Sequence, residues 1–275
     1  MAHTLHHVAF HLAPNYKSAF APGTRSVEHG IIRYGHAASA DAVRLICFPH
    51  AGGGAATFFP WWQRLQPDVE VCAVLPPRRD VGRLETPESV GALADAFVTA
   101  VSCVADRPFA LFGHSFGAAV AYELSVRLTN AGHVPLHLLV AARGAPNTVA
   151  PGPRLADLDD ESFVAGLREK YDAIPAPILE DRDVLAVFLP QLRADVRLHE
   201  QYCAPCVPLP CPITLLTGSD DQTVREADLD AWAAFTRGRF DRHTLPGGHF
   251  FVRDARDETL AVIARTLRAE VAVHE

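Results

Sequence analysis

The chain has 275 residues, 49% hydrophobic and 21% charged, with a formal net charge of −7 from 25 Lys+Arg against 32 Asp+Glu. That composition supplies a sizeable core and excludes an intrinsically disordered chain. It lacks the basic excess of a nucleic-acid binder, and no run approaches the ~18 apolar residues of a membrane span.

The first residues carry no basic stretch followed by an apolar one, so no secretory signal is visible, and the six cysteines (47, 72, 103, 203, 206, 211) form no dense disulfide framework. A reduced, cytoplasmic, monomeric protein is the expectation. At ~150 residues per domain the length allows two, but α/β folds of this size often form one, and a single domain over 1–275 is expected.

Residues 1–40 are weakly patterned and read as an N-terminal lead-in. From residue 43, short β-prone apolar runs bounded by Gly and Pro follow one another: Val43–Phe48, Val69–Leu75, Pro108–Phe112, Leu136–Val140 and Ile213–Thr217. Such runs suit strands buried on both faces, as in parallel sheets. Between them lie helix-period segments over 88–104, 116–129 and 256–271, the first carrying Val90, Leu93, Ala94, Phe97 and Val101 as a buried stripe. The alternation predicts a mostly parallel central sheet flanked by helices. One interval breaks it. From about 145 to 211 no β-like run occurs, and helix-prone pieces (Leu158–Tyr171, Ile178–Leu189, Leu192–Tyr202) are punctuated by proline. A helical insertion between sheet strands is where α/β enzymes carry a lid.

Gly113-His114-Ser115-Phe116-Gly117 fits G-x-S-x-G, with a buried strand running in and a helical pattern running out. That is the setting of a nucleophile elbow, where a β-carbon at position 113 or 117 would collide with the tight strand–helix turn. A serine nucleophile needs a base and a group to orient that base, in the chain order Ser, acid, His. After residue 210 only His243, His249 and His274 remain. His243 lies inside the run Phe240–Leu245 and His274 one residue from the end, whereas His249 follows Gly247-Gly248 in a loop at the C-terminal edge of the sheet. His249 is the expected base. The turn Gly218–Val224 supplies Asp221 as the expected acid, with Asp220 the second candidate, and a helix that the unused acid can cap is expected over Arg225–Phe235. Two backbone N–H groups are expected to form an oxyanion hole: Phe116, after the nucleophile, and Ala51, in the glycine-rich loop His50-Ala51-Gly52-Gly53-Gly54. That loop lacks the spacing of a phosphate-binding motif, so no nucleotide cofactor is expected.

Four segments together resemble the type II thioesterases that accompany polyketide and nonribosomal peptide synthases: Cys47–Gly53, Gly113–Gly117, Gly218–Val224 and Gly247–Phe251. Leu192-Arg193-Ala194-Asp195, Tyr202 and Cys211-Pro212-Ile213 resemble them as well, and the likeness spans roughly 43–271. The resemblance implies an α/β-hydrolase fold with Ser115, Asp221 and His249 as triad and Ala51 and Phe116 as oxyanion donors. It also implies an enzyme acting in trans on acyl groups carried by the phosphopantetheine arm of acyl or peptidyl carrier proteins. About 40 residues precede the first strand read here, fewer than a fused carrier domain needs. A general esterase or lipase with the same triad is the alternative.

Other features have plainer readings. Cys203, Cys206 and Cys211 lie in a Pro-rich connector with His199 as the nearest fourth ligand, and free thiols are expected there rather than zinc. Phe58-Phe59 and Trp61-Trp62 read as core or as acyl-channel lining, and Phe163, Leu167, Phe188 and Leu192 have the same two readings in the lid. Arg78, Arg79 and Arg83 form a small basic cluster, either a solvated loop or a face for an acidic carrier protein.

Overall fold

A computed structural model describes residues 25–35, 42–75, 87–149, 152–171, 174 and 176–274. Eight strands form one sheet in the order β1-β2-β4-β3-β5-β6-β7-β8. They are β1 (Arg25–Glu28), β2 (Ile31–Tyr34), β3 (Val43–Phe48), β4 (Val69–Val74), β5 (Phe109–His114), β6 (His137–Ala141), β7 (Ile213–Gly218) and β8 (Phe240–Leu245). Every pairing from β4 to β8 is parallel, while β1 and β2 join antiparallel at one edge. The fold is α/β with a mostly parallel sheet, as the alternating pattern predicts.

The buried strands read as unbroken apolar runs because both of their faces are covered. On β3, Ile46 and Phe48 point into one core and Leu45 and Cys47 into the other, and β5 divides Leu111 from Ala110 and Phe112 in the same way. The first core is closed by α2 (Val90–Ser102) and α3 (Phe116–Asn130). The second is closed by a 3-10 turn (Ala55–Trp61) leading into α1 (Trp62–Leu65), and by α9 (Arg256–His274). Phe58 and Trp61 are fully buried against Phe112, so these two aromatics are core.

The insertion between β6 and β7 holds α4 (Asp160–Tyr171), α5 (Ala176–Glu180) and α6 (Arg182–Gln201), which share a separate cluster containing Phe163, Leu167, Leu189, Leu192 and Val196. Each fully buried side chain of this kind contributes roughly 1.5–3 kcal/mol. Two short helices flank β8: α7 (Glu226–Asp230) before it and α8 (Phe251–Asp254) after it.

Three details depart from the sequence reading. The lead-in contains the β1–β2 hairpin: its strands have four residues each, and His29-Gly30 turn with φ of 51° and 78°, the two positive values of a tight hairpin turn. Four-residue strands at an edge carry too little hydrophobic pattern to register. The pieces read as Ile178–Leu189 and Leu192–Tyr202 belong largely to one helix, α6, which runs through Pro190. Asp181 caps its start by accepting the N–H groups of Asp183 and Val184, and the apolar stripe on either side of Pro190 outweighs the single missing hydrogen bond. The helix read over Arg225–Phe235 is split into α7 and a 3-10 turn (Ala231–Phe235). Arg78, Arg79 and Arg83 lie outside the described residues. Among the described residues no helix is long and apolar enough to cross a membrane.

The strand order fixes where the loops meet. The chain leaves β3 towards β4 on one side and leaves β5 towards β6 on the other, so the sheet reverses direction between two adjacent strands paired at Phe48 and Gly113. Loops at the carboxyl ends of such strands open a crevice. The glycine-rich loop and Ser115 stand there side by side.

Candidate active site

Ser115 sits at the turn from β5 into α3 with φ 54° and ψ −115°, a backbone conformation that side chains rarely adopt. Its N–H is tied to Ala141 O of β6 at 2.8 Å. The flanking glycines permit the turn: a Cβ at Gly113 would stand 2.3 Å from Gly117 O, and one at Gly117 would stand 2.2 Å from Phe48 O. The strand, the helix and the end of β3 therefore approach one another at backbone distance.

His249, in the loop between β8 and α8, places Nε2 2.9 Å from Ser115 Oγ. Its Nδ1 lies 3.0 Å from Asp221 Oδ2, in the turn after β7. Asp221 is the acid that the structure brings to His249, and Asp220 is exposed, its N–H donating to Gly247 O at 2.9 Å. Ser115 and His249 are 5% and 7% exposed, so water has little access to the relay. Burial opposes ionisation of Asp221, but the hydrogen bonds from His249 and Thr223 outweigh it and hold the carboxyl below the usual carboxylate range.

Thr223 is a component that the sequence reading did not single out. Its hydroxyl donates to Asp221 Oδ1 at 2.6 Å and stands 3.0 Å from His249 Nδ1, while its own N–H reaches the same Oδ1 at 3.0 Å. An Asp followed two residues later by Thr is the signal of an Asx turn, visible in Asp221-Gln222-Thr223. His114 does not join the relay; its buried ring contacts His249 O through Nε2 at 2.9 Å and fixes that loop by its backbone.

The glycine-rich loop after β3, expected to supply an oxyanion donor, is held by its other polar groups. Gly53 N–H donates to His50 O at 2.9 Å, His50 Nδ1 donates to Ala51 O at 3.0 Å, and Gly52 N–H donates to Asp195 on α6 at 3.0 Å. Burial pushes the His50 ring down to about 4, so it remains the neutral donor. Phe116 N–H is at the first position of α3, where the helix dipole favours negative charge. Phe188 and Leu192 of α6 stand over Gly52, placing the insertion against the site. Cys203 and Cys206 are exposed and Cys211 is buried. His199 contacts Arg143 at 2.5 Å, and no group of three or more His, Cys, Asp or Glu among the described residues is placed to hold a metal.

Known proteins resemble this chain in sequence and fold. Residues 43–267 match the thioesterase domain family. A probable cadicidin biosynthesis thioesterase of Streptomyces griseus is 36% identical over 241 residues, covering 87% of this chain, which spans 66% of that relative's length. The type II thioesterase BorB from the borrelidin biosynthetic cluster superposes with a TM-score of 0.76 at 38% identity, covering 88% of this chain and 98% of its own. YbtT, a type II thioesterase from the yersiniabactin NRPS/PKS biosynthetic pathway, gives a TM-score of 0.77 at 28% identity, with coverages of 88% and 99%. With the family match extending over most of the sheet and its loops, the chain belongs to the thioesterase family of α/β enzymes, homologous to the type II thioesterases of polyketide and nonribosomal peptide pathways.

Proposed function

We propose that the protein is a trans-acting editing thioesterase that removes acyl groups from the phosphopantetheine arm of acyl or peptidyl carrier proteins. The observation that carries this reading is the buried relay Ser115–His249–Asp221 beneath a helical insertion. The names of its relatives give thioesterases of polyketide and nonribosomal peptide pathways, and a carrier-bound thioester is the substrate class this reading assigns.

The chemistry follows from the distances. His249 Nε2 takes the Ser115 hydroxyl proton as Oγ attacks the thioester carbonyl. Asp221 and Thr223 hold the tautomer with hydrogen on Nδ1 and stabilise the imidazolium that forms. The N–H groups of Ala51 and Phe116 receive the alkoxide, each such donor contributing roughly 3 kcal/mol in the transition state. The carbon–sulfur bond then breaks. A thiol of pKa near 8.5 leaves readily, and the His249 proton goes to the thiolate. Water, deprotonated by the same nitrogen, attacks the acyl-serine ester and releases the carboxylic acid and free Ser115.

The test is hydrolysis of one acyl group presented on a carrier protein, on N-acetylcysteamine and as a p-nitrophenyl ester, each with Ser115→Ala as control. A strong preference for the carrier-bound thioester, lost in Ser115→Ala, is the expected result. Equal or faster turnover of the simple ester would make the protein a general esterase, and full activity in Ser115→Ala would remove the relay from the mechanism.

A further inference from the structure

Arg143 follows β6 and is 7% exposed, a buried cation whose side chain meets no carboxylate among the described residues. Its Nη1 donates to His199 Nδ1 at 2.5 Å, its Nε has no hydrogen-bond partner, and its guanidinium carbon lies 5.1 Å from the centre of the Tyr202 ring. A charge removed from water in this way is unfavourable unless an anion meets it. The neighbouring carboxylates are engaged elsewhere. Asp228 takes two hydrogen bonds from Arg225, Glu123 takes one each from Arg127 and Tyr202, and Glu200 accepts the N–H groups of Leu155 and Ala156. Burial depresses the Arg143 pKa and pushes His199 well below its ordinary value, so His199 is a neutral acceptor and provides no compensating charge.

Arg143 and His199 line a solvent-open cleft together with Thr148, Tyr171, Thr223 and His249. His249 is thus a wall both of this cleft and of the Ser115 site, and Tyr171 packs on its ring at 4.8 Å between centroids. Asp228 also borders the cleft, with its charge answered by Arg225.

We propose that Arg143 anchors an anion subsite in the acyl-binding region, and that the enzyme accepts acyl groups carrying a carboxylate a short distance from the thioester carbonyl. This rests on the thioesterase reading above and names a substrate class for the same site. The planar guanidinium matches a carboxylate or a phosphate, so the two sources must be separated. The cleft's position favours the acyl group: its wall is His249 itself, close to the reacting carbonyl, whereas the phosphate of a pantetheine arm is separated from the thioester by the length of that arm. The carboxylate neither gains nor loses a bond in the reaction. Its pairing with Arg143 orients the carbonyl towards Ser115.

The experiment reads thiol release from malonyl and succinyl N-acetylcysteamine thioesters, from their methyl esters at the distal carboxyl, and from the acetyl and butyryl analogues. In the wild-type enzyme the free acid is expected to exceed its methyl ester in kcat/KM by tenfold or more, chiefly through KM. The carboxyacyl-to-neutral ratio is expected to fall about tenfold in Arg143→Met and to recover in part in Arg143→Lys. A methyl ester processed as well as its acid overturns the proposal without any variant, and so does a ratio unmoved by Arg143→Met. A second pair, acetyl on phosphopantetheine and on pantetheine, separates the sources: if Arg143→Met changes that ratio instead, the anion is the phosphate and the acyl assignment is overturned. Acetyl hydrolysis persisting in Ser115→Ala would indict the catalytic reading rather than the subsite.

Discussion

Asp195 Oδ2 accepts the Gly52 N–H at 3.0 Å, a hydrogen bond that joins α6 of the insertion to the loop leaving β3. Gly52 has φ 71°, and a Cβ there would stand 2.8 Å from Leu192 and 2.9 Å from Phe188, so α6 rests directly on this residue. The adjoining Ala51 carbonyl is held by His50, which leaves the orientation of the 51–52 peptide determined from both ends. The Ala51 N–H belongs to the preceding 50–51 peptide, whose carbonyl accepts from Gly53 N–H at 2.9 Å. Under the proposed oxyanion role Asp195 is therefore a positioning residue that acts on that N–H through the adjacent 51–52 peptide. Asp195→Ala is expected to lower kcat roughly tenfold to a hundredfold, less than the loss of an oxyanion donor itself, with KM little changed. Asp195→Asn keeps an acceptor oxygen and is expected to recover most of that loss. Steady-state kinetics on one acyl thioester distinguish this from a packing role, which would move KM and thermal stability together.

The backbone at Ser115 sets activity against stability. With φ 54° and ψ −115°, any residue bearing a Cβ is strained there, and such a residue costs on the order of 1–3 kcal/mol. Both Ser115→Ala and Ser115→Gly remove the proposed nucleophile and its hydrogen bond to His249, but only glycine relieves the strain. Both variants are expected to be inactive, with Ser115→Gly more stable than Ser115→Ala by about 1 kcal/mol. In a chain of this size that is a melting difference of about 2–4 °C, accessible by calorimetry. Equal melting temperatures would mean that the surrounding turn relaxes around the alanine.

The parts of this protein legible in its sequence are those governed by short-range chemistry. A strand buried on both faces must be continuously apolar, which is why Val43–Phe48 and Ile213–Thr217 announce themselves. The turn at Ser115 demands glycine at 113 and 117 for steric reasons that survive in one dimension. His249 and Asp221 could be named from chain order and loop position. What the sequence hides are pairings of distant residues. The Asp195 contact with Gly52 spans 143 positions, and Arg143 and His199 come from a strand end and a helix that meet only in the folded chain. The β1–β2 hairpin was missed for a different reason: its edge strands are short, and its turn, His29-Gly30, carries only a weak signal.

Thr223 links Asp221 and His249. Its hydroxyl donates to Asp221 Oδ1 at 2.6 Å, so the carboxylate's second oxygen, Oδ2, remains directed at His249 Nδ1. Thr223→Val preserves shape but removes that donor, leaving one carboxylate oxygen in a buried position with only the residue 223 N–H. The expected outcome is a kcat lower by roughly tenfold, corresponding to the ~1.4 kcal/mol of one hydrogen bond to a charged group. Thr223→Ser, which restores the hydroxyl, is expected to return most of the activity. Because Thr223 also helps to hold the Asp221 carboxyl below its usual range, its loss lets that group protonate at a higher pH. The valine variant should therefore lose activity sooner than the serine variant as the solution is acidified.

His137, on β6, provides a pH dependence separate from catalysis. The ring is fully buried, with Nε2 2.8 Å from Thr214 Oγ1 and Nδ1 3.4 Å from a Glu270 oxygen that Arg239 also engages at 2.9 Å. Burial, with Arg239 adding to it and Asp241 opposing it, pushes the imidazole down to about 4. In the unfolded chain the same ring titrates near 6.5. Above that pH neither state binds the proton and His137 imposes no penalty. As pH falls from 6.5 to 4 the unfolded state takes up a proton that the folded state refuses, so stability is lost across this window and not further below it. The shift corresponds to roughly 3 kcal/mol at most. His137→Gln removes the titration, and its unfolding free energy, measured in urea between pH 7 and 4, is expected to decline less steeply than that of the wild-type protein by about that amount. Parallel curves for the two proteins would show that His137 takes up its proton in the folded state through Glu270.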